Sequence, residues 1–172
     1  MSKKIYFISD SHLGVPNYTA SLEREKLLVQ WLTYVEADAE AIYLLGDIFD
    51  FWFEYKSVVP KGYVRLLGKL AELTDKGIPI YFFRGNHDMW VFDYLQKELN
   101  ITVFKEPIVQ TLFGKTCFIG HGDGLGPADY GYKFIKWVFA HKINQTLFGW
   151  LHPDCGAYLA RFFSHKSRQA TI

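Results

Sequence analysis

The stretch AIYLLGDIFD occupies residues 41–50 and joins an apolar run to a glycine and two aspartates. Its first five residues have the apolar character of a buried strand, and Gly46 allows a tight turn directly after them. Asp47 and Asp50 follow that turn. Because polar groups at the carboxyl ends of parallel strands converge on one edge of a sheet, this stretch predicts an α/β fold with a functional site there.

Three further apolar runs end in polar motifs of the same kind. Carboxylates, an amide oxygen and imidazoles in these motifs are ligand types that suit divalent manganese, iron or zinc. We therefore expect a pair of divalent metal ions, with Asp47 placed so that its carboxylate could bridge them. The runs at 5–8, 80–83 and 117–119 precede Asp10-x-His12, Gly85-Asn86-His87-Asp88 and Gly120-His121-Gly122.

Each motif alone also has an ordinary structural explanation. Asp10 can cap a turn beside a surface His12. Asp47 and Asn86 are residue types common in turns. His121 can be a buried histidine whose ring is hydrogen-bonded. The order of the four motifs, each at the end of an apolar run, favours one metal centre over these separate explanations.

His87 and its neighbours offer groups for acid–base chemistry and for phosphate binding. His87 follows a predicted ligand, and it can protonate a leaving oxygen or stabilise negative charge on a phosphoryl group. Either Asp50 or Asp88 would orient its ring. The alternative for Asp88 is an N-cap of the following helix. Arg84 can bind phosphate, and its alternative is a solvated strand end.

The composition is that of one globular domain in a reducing, cytosolic setting. Of 172 residues, 49% are hydrophobic and 22% are charged, and two cysteines do not make a disulfide framework. The amino-terminal sequence lacks the pattern of a signal peptide. No apolar run approaches the roughly 20 residues that span a bilayer.

The predicted elements alternate between strand and helix up to residue 100, and a hairpin around Gly114 follows. Ser21 is the expected N-cap of the first helix, and Lys76-Gly77 is the expected end of the second. The predicted strands are 3–9, 41–45, 78–83, 107–113 and 115–119. The predicted helices are 21–35, 60–76, 89–99, 129–149 and 154–167. In the second helix, the residues predicted to face inward are Val64, Leu67, Leu70 and Leu73.

The charge divides the chain into a body at 1–128 and a helical lid at 129–172. Residues 130–172 contain Asp154 as their single acidic residue, and their cations alternate with aromatic side chains. Basic and aromatic helices can lie in a membrane interface or line an acyl groove. The alternative is a lid that packs on the body with exposed lysines. The cations are Lys133, Lys136, Lys142, Arg161, Lys166 and Arg168.

The four motifs resemble those of the calcineurin-like metallophosphoesterase superfamily, whose pattern is D-x-H, G-D-x-x-D, G-N-H-D/E, H and G-H-x-H. The first four blocks match over residues 10–121. The resemblance implies a four-layer αββα sandwich that hydrolyses a phosphate ester or anhydride with a metal-bridging hydroxide. It also implies site roles: Asp10 and His12 bind one metal, Asp47 bridges, Asn86 and His121 bind the other, and His87 is an acid oriented by Asp50.

The fifth block of the superfamily pattern has no counterpart in the chain. His141, His152 and His165 follow His121, and none of them lies in a Gly-His-x-His. We therefore expect that the sequence stops inside the lid insertion. Two imidazole ligands and the last core strands would then lie in a further segment.

Within the superfamily, the chain is similar to the UDP-2,3-diacylglucosamine pyrophosphatase family of bacterial lipid A synthesis. The likeness rests on residues 8–14, 46–52 and 121–125 and on the aromatic, basic segment after them. It implies manganese-dependent hydrolysis of a nucleotide-linked diacyl sugar to UMP and lipid X, peripherally on the cytoplasmic face of the inner membrane. We expect no nucleic acid to bind, although aromatic and basic residues can stack bases, because the body is acidic and has no basic stripe along the strand ends. Asp129 and Tyr132 stand where this family places substrate contacts; further candidates are Arg84, Lys136 and Trp137.

Two features keep other functions open. The well-studied branch of that family has arginine where this chain has His87. The alternative function is therefore that of a generic phosphoesterase acting on phosphoproteins, nucleotides or DNA ends. The missing fifth block favours a second alternative, a binding module of the same fold that binds little or no metal. The four intact blocks oppose the binding module.

Overall fold

The computed structural model describes residues 3–124 and 130–170, without the side chains of 130–132, 134, 135, 161, 163 and 165–170. In chain order its elements are β1 (Lys4–Ile8), α1 (Tyr18–Val35), β2 (Ala39–Leu44), α2 (Val64–Asp75), β3 (Ile80–Phe83), α3 (Tyr94–Leu99), β4 (Thr102–Phe104), β5 (Ile108–Leu112), β6 (Lys115–Ile119), α4 (Tyr130–Ala140), α5 (Lys142–Gly149) and α6 (Pro153–Ala170).

Strands β1 to β4 form one parallel sheet in sequential order. Ile8 pairs with Leu44, and Leu44 pairs with Phe82, so the first three strands end level with one another. The fourth strand, β4, was not predicted from the sequence and pairs with β3. The predicted hairpin is confirmed, because β5 and β6 pair antiparallel.

The alternation of side chains along the strands separates two hydrophobic cores. Ile42 and Leu44 of β2 face the core formed with α1, α2 and α3. Ala41 and Tyr43 face the opposite way and pack with Ile119 of the hairpin. Because successive residues of a strand point to opposite faces, helices, sheet and hairpin are stacked in layers. This confirms the predicted α/β class.

Helix α1 begins three residues earlier than predicted. The Asn17 side chain accepts a hydrogen bond from the Ala20 N–H at 3.0 Å, so Asn17 is the N-cap. The prediction of Ser21 as the cap is wrong. Ser21 is buried instead, and its hydroxyl accepts the Gly14 N–H at 2.7 Å.

Helix α2 begins at Val64, so the predicted start at Pro60 is wrong. Buried Glu25 of α1 accepts the N–H groups of Arg65 and Leu66 at 2.9 and 3.1 Å and so satisfies the first turn of the helix. The prediction that Val64 faces inward is wrong, because Val64 is 73% exposed, and Leu66, which was not predicted to face inward, is buried instead. The predicted end at Lys76 followed by glycine is confirmed.

Helix α3 is shorter than predicted, whereas α6 extends beyond its predicted range of 154–167 at both ends. The Glu54 carboxylate accepts the N–H groups of Asp93 and Tyr94 at 2.7 and 3.1 Å, and the helix starts there rather than at Met89. The predicted single helix at 129–149 is divided into α4 and α5 at His141, whose ring accepts the Ile143 N–H. The predicted break at His152-Pro153 is confirmed.

Helices α4 and α5 contact the body through aromatic side chains. The Phe148 ring lies 4.8 Å from that of Phe53 and 4.6 Å from that of Trp90, between ring centroids. The Trp90 indole N–H donates to the Phe139 carbonyl at 2.9 Å. The proposed boundary between body and lid falls in 125–129, outside the described residues.

Candidate metal centre

The loops that follow β1 and β2 lie side by side at the edge of the sheet. The backbone N–H of Asp10 donates to the Gly46 carbonyl at 3.2 Å, and that of His12 donates to the Asp47 carbonyl at 2.9 Å. Asp10, His12 and Asp47 all have positive φ, between 42° and 56°. This conformation costs energy for residues other than glycine and is common at functional sites.

The structure brings five site residues into two groups that share Asp47. The groups differ from the expected ligand sets, because Asp10 and His12, expected on one metal, fall in different groups and His87, expected as an acid, joins His12. Asp10, Asp47 and His121 form one group, and His12, Asp47 and His87 form the other, with ligand atoms within 4.8 Å of one another in each. The second Asp47 carboxylate oxygen, Oδ2, lies 3.8 Å from His12 Nε2 and 3.5 Å from His121 Nε2. This position between the groups is what a bridging carboxylate requires.

The ring of His121 is held so that one nitrogen faces the other donors. His121 Nδ1 lies 2.7 Å from the Leu45 carbonyl oxygen and can donate its proton to it. In the neutral ring, Nε2 would then carry the lone pair, and it lies 3.3 Å from Asn86 Oδ1. A carbonyl that fixes the tautomer in this way is the usual support of a histidine metal ligand.

Two glycines allow the loops to approach closely. A Cβ on Gly46 would lie 2.7 Å from the Gly85 nitrogen and 2.9 Å from His121 Nδ1. A Cβ on Gly85 would collide with the Asp47 carboxylate. Larger residues at these positions would therefore separate Asp47 from the motif that carries Asn86.

The Asp47 carboxylate stabilises positive charge at the site. Burial alone would raise the pKa of Asp47, but hydrogen bonds from the His121 ring and the His87 N–H lower it below the ordinary value. The pKa of His121 is raised to about 9, chiefly by its hydrogen bond with Asp47 and against the effect of burial. A bound cation would be stabilised by the same negative charge, so the donor set fits a metal centre.

The ring of His87 contacts Asp50, as predicted. His87 Nδ1 lies 3.1 Å from the Asp50 carbonyl oxygen and 3.4 Å from its carboxylate Oδ1. The Ser164 hydroxyl of α6 donates to both oxygens of the same carboxylate, at 3.2 and 3.1 Å. Ser164 was not predicted, because no signal links two residues that are so far apart in the sequence.

Asp88 neither caps a helix nor contacts the His87 ring as an orienting group. It is fully buried, and its carboxylate accepts N–H groups from the backbone of two loops. Burial raises its pKa to about 7, the neighbouring Asp47 adds to this rise, and the backbone hydrogen bonds oppose it. The prediction of an N-cap is wrong, since the helix begins at Tyr94.

The predicted substrate contacts are distributed over two places. Arg84 and Lys136 line a polar cavity of about 90 Å³ beside His121, and Lys136 forms an ion pair with Asp123 at 2.7 Å. Trp137 lies on the neighbouring helix surface and is 63% exposed. Asp129 and the side chain of Tyr132 lie outside the described residues.

An α/β sandwich with carboxylate, amide and imidazole groups at its strand ends is the architecture of metal-dependent phosphoesterases. The sequence model of the calcineurin-like phosphoesterase family matches residues 3–170. The chain belongs to the calcineurin-like phosphoesterase family.

Two relatives of the chain are both named UDP-2,3-diacylglucosamine hydrolase. A UDP-2,3-diacylglucosamine hydrolase of Porphyromonas gingivalis is 42% identical over 171 residues, 99% of this chain and 65% of the relative. A UDP-2,3-diacylglucosamine hydrolase of Neisseria meningitidis serogroup A is 35% identical over 149 residues, 85% of this chain and 59% of the relative. Among solved structures, a protein of unknown function from Aquifex aeolicus aligns with a TM-score of 0.48 and 18% identity over 78% of this chain and 71% of that chain. The chain thus spans 65% or less of the length of these two curated relatives.

Proposed function

We propose that the protein is a metal-dependent hydrolase that cleaves the pyrophosphate bond of UDP-2,3-diacylglucosamine to UMP and lipid X in lipid A synthesis. The observation that carries the proposal is the pair of ligand groups that share Asp47. The substrate is proposed from the relatives, which are named UDP-2,3-diacylglucosamine hydrolases.

Five side chains would hold two divalent ions, with manganese as the first candidate and iron or zinc as alternatives. Such ions, when bound, lower the pKa of water and neutralise the negative charge that develops on the phosphoryl group. The mixture of oxygen and imidazole donors supports this set of metals. The five side chains are Asp10, His12, Asp47, Asn86 and His121.

His87 is proposed as the acid of the reaction. Because its Nδ1 faces Asp50, its Nε2 is the nitrogen that would reach a substrate. A protonated His87 would donate a proton to the leaving phosphate oxygen or stabilise charge on it. His87 also lies within ligand distance of His12 and Asp47, so its alternative role is that of a metal ligand.

Arg84 and Lys136 are proposed to bind the anionic part of the substrate. The Arg84 Nε is buried and has no hydrogen-bond partner among the described residues, so a phosphate oxygen would satisfy it. Lys136 is already paired with Asp123. We therefore expect Arg84 to contribute more to phosphate binding than Lys136.

The lid helices are proposed to bind the acyl chains. A cavity of about 370 Å³ lies between Trp90 and helices α4 and α5, and its lining is almost entirely apolar. An apolar lining favours hydrocarbon over water because burial of each methylene is worth about 0.8 kcal/mol. Asp129, Tyr132 and Trp137 remain proposed contacts of the substrate.

The exposed surface of the lid supports a peripheral position on the cytoplasmic face of the inner membrane. Trp137 and Trp150 are 63% and 79% exposed, and Lys133 and Lys142 are also exposed. Exposed tryptophans beside lysines favour the interface of an anionic membrane. None of the helices in 3–124 and 130–170 has the length and apolar character needed to cross a bilayer.

The test compares UDP-2,3-diacylglucosamine with the same UDP-sugar lacking its acyl chains, at constant detergent and with added Mn²⁺. Release of UMP gives kcat/KM for each. Since about 0.8 kcal/mol per buried methylene accumulates along two chains, we expect a preference of several orders of magnitude for the acylated substrate. Equal turnover would contradict the lipid substrate. Absence of UMP from both substrates would contradict the pyrophosphatase.

A generic phosphoesterase is the second candidate, and His87 is the observation that favours it. The same preparation would be tested on a phosphopeptide, a nucleotide and a small chromogenic phosphodiester. A kcat/KM for any of these above that for the acylated UDP-sugar would favour the generic enzyme.

A further inference from the structure

Asp88 connects the two loops that carry the shared ligand and its neighbours. Its Oδ1 accepts the N–H groups of Gly85 at 2.8 Å and Asp47 at 3.2 Å. Its Oδ2 accepts those of Ile48 at 2.9 Å and Phe49 at 3.3 Å. Four backbone donors therefore converge on one carboxylate that is fully buried.

The connection between the loops is reciprocal. While the Asp47 N–H donates to Asp88, the Asp47 carboxylate Oδ1 accepts the His87 N–H at 2.9 Å. With Oδ1 used in this way, Oδ2 is the oxygen that faces His12 and His121. The hydrogen bonds thus select which oxygen of Asp47 lies between the two ligand groups.

We propose that Asp88 is a positioning residue that fixes the left-handed backbone of Asp47 and so sets the geometry of the bridging oxygen. The proposal rests on the proposed metal centre. Asp47 has φ 54°, a conformation that persists only where surrounding contacts over-determine it. An ionised carboxylate suits this role because it only accepts hydrogen bonds, whereas an asparagine amide would direct N–H groups at backbone donors.

Asp88→Asn is the primary variant, and Glu25→Gln is the matched control. Glu25 is also a buried carboxylate that accepts two backbone N–H groups, those of Arg65 and Leu66, and it belongs to neither ligand group. Both substitutions should lower the Tm of the metal-free protein. Only Asp88→Asn should weaken Mn²⁺ binding, by about 10–100-fold for both ions, because Asp47 is shared. Asp88→Glu, which retains the charge and the acceptors, should bind more tightly than Asp88→Asn.

Calorimetric titration with Mn²⁺ gives the affinities, and amide hydrogen exchange of the metal-free wild type gives a measurement that needs no variant. We expect slow exchange at Gly85, Asp47, Ile48 and Phe49. Rapid exchange of these amides, or wild-type Mn²⁺ affinity in Asp88→Asn, would overturn the positioning role. A wild type that binds no Mn²⁺, Zn²⁺ or Fe²⁺ would instead refute the proposed metal centre, whatever the exchange rates.

Discussion

At the residue scale, Asp47 is the side chain on which both ligand groups depend. In the full-length protein, replacing it with alanine should remove most of the bound metal and the activity, because its carboxylate is buried and belongs to both groups. Metal analysis after gel filtration measures the stoichiometry. Asp123→Ala is the control, since Asp123 lies two residues after His121 but belongs to neither group. A wild-type metal content in Asp47→Ala would refute the bridging role.

His87 distinguishes general acid catalysis from metal ligation. If His87 is the acid, His87→Ala should lower kcat by roughly 10²–10⁴ while the metal content stays at the wild-type value. The measurement pairs steady-state kinetics with metal analysis of the same sample. Loss of one ion would identify His87 as a ligand in the group with His12 and Asp47.

The sequence predicted the site residues whose side chains form motifs. It did not predict contacts made by backbone N–H groups or by the packing of distant elements. The sequence placed Asp10, His12 and His121 at strand ends, and parallel strands bring such ends together. The partners of Asp88 are backbone N–H groups, which every residue except proline has, so its sequence motif could not identify them. The contact of Ser164 with Asp50 depends on how α6 packs, which no local pattern encodes.

At the element scale, the types of the body elements were predicted well and their starts poorly. Apolar periodicity identifies a helix, but the first turn needs acceptors for its free N–H groups. In α2 and α3 these acceptors are Glu25 and Glu54, which lie about forty residues earlier in the sequence. The cap of α1, in contrast, is local, and Asn17 is a residue type that caps helices well.

The ion pairs of Glu36 with Lys69 and Lys76 should make the free energy of unfolding depend on pH in the acid range. The Glu36 carboxylate accepts hydrogen bonds from Lys69 and Lys76, each at 2.6 Å, and these lower its pKa below the ordinary 4.5. Its contribution is therefore complete above the unfolded-state pKa and is lost as the pH falls through the lower folded-state value. Glu36→Gln should cost about 0.5–1 kcal/mol at pH 7 and progressively less below pH ~4.5.

Urea unfolding of the metal-free protein at pH 7 and at several acid values measures this difference. Glu23→Gln is the control, because Glu23 has a side chain that is 62% exposed and its ion pair with Lys26 lies within α1, which Glu36 follows as the C-cap. The free energy of unfolding of this control should stay within about 0.5 kcal/mol of the wild type at every pH, because an exposed pair within one helix contributes little. An equal deficit of Glu36→Gln at all pH values would contradict the assigned role.

At the scale of the whole molecule, the lid contacts the body at the metal centre itself. Ser164 of α6 donates to Asp50, the residue that contacts His87, and Lys136 of α4 pairs with Asp123 near His121. A displacement of either helix would remove a hydrogen bond from the neighbourhood of a predicted site residue. We therefore expect the position of the lid to affect catalysis as well as lipid binding.

Gly156 allows a close approach of α6 to the body and to α5. A Cβ there would collide with the Tyr55 hydroxyl and lie 3.0 Å from the Phe148 ring. Alanine usually stabilises a helix by about 1 kcal/mol relative to glycine. At this position overpacking, which costs about 1–3 kcal/mol, should exceed that gain. Gly156→Ala should therefore lower the Tm, speed amide exchange in α6 and raise KM for the acylated substrate.

Gly149→Ala is the matched control in the same lid. The nearest atom to a Cβ at Gly149 is a Phe53 ring carbon at 3.7 Å, which is ordinary van der Waals contact. This control should retain the wild-type KM and the wild-type exchange of α6. Because both substitutions add one methyl group to a lid helix, any difference between them reports the close contact at Gly156. If Gly156→Ala were as stable and as protected as Gly149→Ala, the packing of α6 on Tyr55 would be refuted, and with it the structural route by which the lid reaches Asp50.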